Sequence, residues 1–155
     1  MIPIVERKEL NLEEKIAIYR LWNQEYPEKL NYTAVEGFEA YLANLSKITH
    51  YLMIDDKDQI VAWSSTFERE GALWFAVIIA GNLHGKGYGH TILNHLKSKE
   101  STLNGWVIDH EQDKKKDGTI YLSPLSFYLK NDFIVYPDNR LELEKMSAVH
   151  IQWNK

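Results

Sequence analysis

A nine-residue apolar run, Ala72-Leu-Trp-Phe-Ala-Val-Ile-Ile-Ala80, is followed almost at once by His84-Gly-Lys-Gly-Tyr-Gly89. No other segment restricts the fold as tightly. A run apolar at nearly every position, rich in β-branched and aromatic residues and far too short to span a bilayer, reads as a central strand buried on both faces. Three glycines in six residues then permit a sharp turn, and Ile92, Leu93 and Leu96 recur at helical spacing as far as about Lys99. Backbone N–H groups therefore converge at the positive end of a helix dipole. Such a turn cradles a phosphate or pyrophosphate, and Lys86 adds a positive charge.

The rest of the chain builds a sheet around that strand. Ile2 to Val5 reads as a short edge strand. Asn11-Leu-Glu-Glu14 is a capping box opening a helix, with Leu12, Ile16, Tyr19 and Trp22 at helical spacing, closed before Pro27. Thr33-Ala-Val-Glu36 repeats the capping signature ahead of Val35, Phe38, Leu42 and Leu45. Tyr51–Ile54, Ile60–Phe67 and Ala72–Ile79 form an antiparallel meander whose connections, Asp55–Gln59 and Glu68–Gly71, are tight-turn sequences. After the glycine turn and its helix, Trp106–Ile108 is a short buried strand. The polar segment 110–119 reads as a mobile loop, its Lys114–Lys116 run flanked by Asp113 and Asp117. Ser123-Pro-Leu opens a helix to about Lys130, with Pro in the first position. Phe133–Tyr136 and Ala148–Trp153 close the sheet, the latter as an exposed edge that invites a homodimer. The order is β-α-α-β-β-β-α-β-α-β-β. It implies one α/β domain over residues 1–155, with a mixed, mostly antiparallel twisted sheet of six to seven strands and four flanking helices.

Composition removes whole classes of function. With no cysteine among 155 residues, disulfides, thiolate metal sites and cysteine nucleophiles are excluded. Acidic residues outnumber basic ones, 22 to 18, which argues against a nucleic-acid binder with a basic surface. No His and carboxylate set has metal-ligand spacing, since His90 and His95 lie five apart and face different ways. Neither a signal peptide nor a membrane span is visible, so the expectation is a soluble cytoplasmic protein.

The glycine turn can be tested against nucleotide-site patterns. A Walker loop needs four residues between Gly and Gly-Lys and then Ser or Thr; Gly81 to Gly85 leaves three, and Gly87 follows the lysine. A dinucleotide fingerprint is G-x-G-x-x-G in an early parallel βαβ unit, whereas Gly85, Gly87 and Gly89 are spaced G-x-G-x-G after a meander. The segment instead resembles the pyrophosphate-binding motif of the GNAT N-acetyltransferase superfamily, which runs Arg or Gln, two residues, Gly, any residue, then Gly or Ala. His84 departs from the first position. Phe127-Tyr-Leu-Lys-Asn-Asp-Phe133 is similar to the family's Phe-Tyr-x-Lys-x-Gly-Phe helix ending, with Asp132 in place of Gly.

That resemblance implies an acyltransferase moving acetyl from acetyl-CoA to a primary amine of a small molecule or peptide, directly, in a ternary complex. It implies a cofactor site at Ile78, Ile79, His84, Gly85, Lys86, Gly87, Tyr88, Gly89, His90, Ser123, Phe127 and Tyr128. A backbone N–H near Ile79 would face the developing oxyanion, and Tyr128 matches the family's general acid for the departing thiolate. The family's Asn that touches the pantetheine arm is Tyr121 here, with Ser123 the available substitute. Base candidates are Asp109, His110 and Glu111, after the strand beside the cofactor strand, and Glu68 and Glu70 before the central strand. The two early helices supply the acceptor wall, where Trp22, Tyr26, Tyr32 and Tyr41 are core or pocket lining. The acidic excess suits a cationic acceptor such as a polyamine, an aminoglycoside or a lysine side chain. Two alternatives stay open: a catalytically weak CoA-binding module of the same fold, and a regulatory domain holding another nucleotide or phosphate.

Overall fold

In the computed structural model, which describes residues 2–155, the chain runs β1 (Ile4–Arg7), α1 (Leu12–Glu25), α2 (Val35–Ala43), β2 (Ser46–Ile54), β3 (Ile60–Arg69), β4 (Ala72–Ile79), α3 (Tyr88–Lys99), β5 (Thr102–Val107), α4 (Leu125–Lys130), β6 (Ile134–Glu142) and β7 (Ser147–Asn154). This is the order read from the sequence. The seven strands form one sheet in the order β1-β2-β3-β4-β5-β7-β6, with β4 in the middle. Every pairing is antiparallel except β4 with β5. Among the described residues, no helix is long and apolar enough to cross a membrane.

Local chemistry accounts for the first half. The Asn11 side chain accepts the Glu14 N–H at 2.8 Å, and the Glu14 carboxylate accepts the Asn11 N–H at 2.9 Å, completing the capping box of α1. Asp55 takes the N–H groups of Lys57 and Gln59 and so closes the β2–β3 turn. Between β3 and β4, Arg69 pairs with Ala72 across Glu70 and Gly71, whose φ values are +52° and +77°. Two successive positive φ angles match the twist of a two-residue hairpin.

Core packs on both faces of the sheet. Ile18, Leu21, Trp22, Phe38 and Leu42 from α1 and α2 meet Leu52, Trp63 and Ile78 on one face. On the other, Leu93 and Leu96 of α3 and Tyr128 of α4 meet Phe75, Leu103 and Ile151.

Several sequence expectations change. Strand β4 is central, yet only Phe75 and Ile78 are buried along it; Trp74, Ala76, Val77 and Ile79 line the cavities described below. Helix α2 begins at Val35 behind Ala34, with no side-chain cap. The Asn23 side chain instead braces the chain there, accepting the Tyr32 N–H and donating to the Tyr32 carbonyl. Pro124 is the residue before α4 rather than its first turn. Strands β2 and β5 begin at Ser46 and Thr102, earlier than the apolar pattern implied. Strand β7 is no edge: β5 and β6 pair on its two sides, and β6 forms the border.

The polar segment 110–119 is tied down rather than free. Lys115 pairs with Glu25 at 3.2 Å and Asp113 with Lys29 at 3.0 Å. Backbone bonds join Glu28 N–H to the Lys114 carbonyl and Tyr121 N–H to the Asp113 carbonyl.

Beneath the sheet, the indole N–H of Trp63 donates to Nδ1 of the buried His50 at 3.0 Å. Burial holds the His50 imidazole down at about 4. The unfolded chain takes that proton near pH 6.5 and the folded one does not. Stability is therefore expected to fall as pH drops from 6.5 toward 4, by about 2–3 kcal/mol from this group. Urea melts of wild type and His50→Gln across that window check it, and the variant should lose this part of the slope.

Candidate active site at the parting of the central strands

Strands β4 and β5 meet at a single residue pair, Trp74 with Asn104. The Asn104 amide reinforces it by donating to the Leu73 carbonyl at 3.0 Å. Gly105 follows because the Phe75 ring lies 2.8 Å from where a Cβ would stand. Past this point the strands separate. The Ala80 N–H still donates to the Val61 carbonyl of β3. By alternation, the backbone groups of Val77 and Ile79 point away from β3 into the gap.

Two cavities flank this gap. One, of 310 Å³, is walled by aromatic residues of α1 and α2 and by Phe67, Trp74, Phe75 and Trp106 of the sheet. The other, of 780 Å³, lies between the glycine turn and α4. They share Tyr26, Val77, Tyr121, Pro124 and Tyr128 as walls. Tyr128 thus stands where the two meet.

The glycine turn forms the far end of the larger cavity. Gly85 and Gly87 have φ of +76° and +85°, with nothing within 4 Å of an added Cβ. Any side chain there would be strained and would project into the space both residues line. Gly87 precedes α3, whose first internal bond is Thr91 N–H to the Gly87 carbonyl. The N–H groups of Tyr88, Gly89 and His90 have no acceptor among the described residues. Gly89 is set by contact, since its Cβ would stand 2.9 Å from the Phe127 ring. This donor set fits a pyrophosphate.

The surrounding side chains fix the turn. His84 donates through Nε2 to the Ile79 carbonyl at 2.8 Å. His90 Nδ1 donates to the Asn131 side chain at 2.7 Å and Nε2 accepts from Asn94, stapling α3 to the end of α4. The Ser123 hydroxyl donates to the Ile108 carbonyl at 2.7 Å and accepts from the Leu125 N–H. Ile78, though buried in the core, lines the larger cavity with Ile79 and Tyr88, whereas Lys86 does not line it and makes no ion pair among the described residues.

The Tyr128 ring packs edge-on against Phe75, Phe127 and Phe133. Its hydroxyl has no hydrogen-bond partner among the described residues. Burial pushes its phenol well above the ordinary tyrosine range, and the neighbouring Tyr121 adds to this. Burial likewise pushes Tyr121 up to about 12, and raises Tyr26. Three phenols at the junction therefore keep their protons at neutral pH and can only donate or accept as neutral groups.

The five titratable base candidates lie elsewhere. Asp109 is gripped by both terminal nitrogens of Arg140, at 2.8 and 3.0 Å, which hold its carboxyl below the usual range. His110 Nδ1 accepts the Gln112 N–H, and Glu111 accepts the Ser123 N–H. Glu68 pairs with Lys47 at 3.2 Å, and Glu70 sits in the hairpin turn. None of them lines either cavity.

Glu25 was invisible in the sequence as a site residue. At the last position of α1, it accepts the Gly81 N–H at 2.8 Å and pairs with Lys115, and both Glu25 and Lys115 line the larger cavity. A carboxylate at a helix end gives no local signal of contacts 56 and 90 residues away.

No family profile matches the sequence, and no curated protein matches it. Solved structures do. A structure of aminoglycoside 6′-N-acetyltransferase complexed with coenzyme A superposes with a TM-score of 0.73 at 14% identity, covering 99% of this chain and 97% of that one. The chain has the GNAT N-acetyltransferase fold. A mutant of spermidine N-acetyltransferase from Vibrio cholerae follows at 0.62 and 14%, covering 99% and 95%. The GNAT superfamily phosphinothricin acetyltransferase of Sinorhizobium meliloti, in complex with AcCoA, gives 0.62 at 10%, covering 97% and 88%. The fold is thus shared where almost no residue identity remains.

Replacing Glu25 with Ala removes the acceptor of Gly81 and strands Lys115. Stability is expected to fall by about 2 kcal/mol. Hydrogen exchange should quicken at Gly81 and across residues 113–121. Unchanged protection there would dismiss Glu25 as the fastening.

Proposed function

We propose that this protein is an N-acetyltransferase that moves acetyl from acetyl-CoA to a primary amine of a small molecule, both bound at once. One observation carries the reading: β4 and β5 part beyond Trp74, and Tyr128 stands where a glycine-turn cavity meets an aromatic one. The named likenesses of the fold support it, since they include acetyltransferases complexed with coenzyme A and AcCoA.

In this reading the larger cavity takes acetyl-CoA, which supplies the activated acyl group. The unpaired N–H groups of Tyr88, Gly89 and His90 receive its pyrophosphate, aided by the α3 dipole. Gly85 and Gly87 keep the approach free of side chains. The gap-facing backbone of Val77 offers sheet-like hydrogen bonds to an extended amide chain, and the Ile79 N–H, whose own carbonyl is taken by His84, faces the developing oxyanion. Ser123 is committed to Ile108 and positions α4 rather than a ligand.

The acceptor occupies the aromatic cavity, where loss of water disfavours its ammonium form and releases the amine lone pair. The amine nitrogen attacks the thioester carbon, the C–N bond forms and the C–S bond breaks. The proton shed by nitrogen passes to solvent, the sulfur leaves as a thiolate, and that thiolate takes up a proton from solvent afterwards, so the reaction balances. Tyr128 donates to the departing sulfur. With its phenol raised above the thiol range of about 8.5, it stabilises the thiolate by hydrogen bonding more than by full proton release.

Two measurements test the reading. Calorimetric titration should find micromolar acetyl-CoA binding to wild type and none to Gly87→Glu, whose side chain enters the phosphate end. Failure of the folded wild type to bind would end the proposal. Tyr128→Phe should lower kcat by roughly ten- to ten-thousandfold with little change in acetyl-CoA affinity. Wild-type turnover in that variant would remove Tyr128 from the reaction.

A further inference from the structure

The aromatic cavity has one charged side chain in its lining among the described residues, Arg69, and no carboxylate. A site for a polyamine or an aminoglycoside must compensate several ammonium groups, and a buried unpaired cation is costly. This wall offers the opposite charge. Arg69 ends β3 beside the two-residue hairpin turn, and its guanidinium lies 5.2 Å from the Phe67 ring centroid and 5.6 Å from that of Trp74. Both rings line the same cavity and hold the arginine in place. No acidic side chain pairs with it among the described residues, since Glu68 beside it is taken by Lys47.

An arginine preset on two rings and free of a partner recognises a planar anion through paired N–H donors. The remaining walls are apolar or aromatic, and 310 Å³ matches a molecule of amino-acid size. We infer that the acceptor is a monoamine carrying a carboxylate and an apolar or aromatic body, such as an aromatic α-amino acid, with the carboxylate held by Arg69. This rests on the acetyltransferase reading above and replaces the cationic acceptor suggested by overall charge. Net charge belongs to the whole surface, whereas specificity is set by the few groups facing the cavity.

The experiment is an acetylation panel with acetyl-CoA: L-phenylalanine, L-tryptophan and L-methionine, the decarboxylated phenethylamine, spermidine and kanamycin. Free thiol and the mass of each N-acetyl product are read. The carboxylated amines should give the highest kcat/KM. Arg69→Gln should raise KM for L-phenylalanine by roughly ten- to a hundredfold while leaving phenethylamine unchanged. Arg69→Lys should recover part of the loss. Preference for spermidine or kanamycin would overturn the inference. So would an equal effect of Arg69→Gln on every amine, or the absence of any product from a protein that binds acetyl-CoA; each leaves the cofactor reading standing. Absence of acetyl-CoA binding would overturn the cofactor reading, and this one with it.

Discussion

Everything at the candidate site follows from how little of β4 is paired with β5. One residue pair and one side-chain amide join two strands at the centre of a seven-stranded sheet. A sheet interior normally satisfies every N–H and C=O by pairing. Here His84 takes the Ile79 carbonyl, and the gap-side backbone of Val77 and the Ile79 N–H are left to whatever enters between the strands. The same separation opens a cavity on each side and brings the Tyr128 hydroxyl to their junction. Had the parallel ladder continued, both cavities would be closed.

That parting also explains where sequence reading worked. Strand–turn–helix order, the capping box at Asn11 and the hairpin at Glu70-Gly71 are local, and each residue's own φ/ψ preference and hydrogen bonding specify them. The glycine turn was legible for the same reason, because positive φ at Gly85 and Gly87 is a property of the chain itself. The apolar run Ala72–Ala80 was correctly placed at the centre but not in depth. Several of its side chains line cavities instead of packing in the core, and composition alone does not separate the two.

Contacts between distant segments were not legible. Nothing local in Asn104-Gly105 shows that the glycine admits the Phe75 ring and that the asparagine binds the Leu73 carbonyl, about thirty residues earlier. The polar stretch 110–119 looks like a solvated loop, and its fastening by Glu25, Lys29 and the backbone of Glu28 depends on the end of α1 and the turn after it, eighty and more residues earlier. The base candidates at 109–111 followed from nearness in sequence to β5. Their side chains turn toward Arg140, Gln112 and Ser123 instead.

Helix α1 touches both cavities. Trp22 and Tyr26 stand in the wall of the smaller one, and Glu25, the last residue of the helix, holds the Gly81 turn and Lys115 at the larger. One rigid rod therefore carries fittings for two compartments. Under the proposed function, a ligand that fixed α1 from one side would favour binding at the other, and linkage would require the same factor in return.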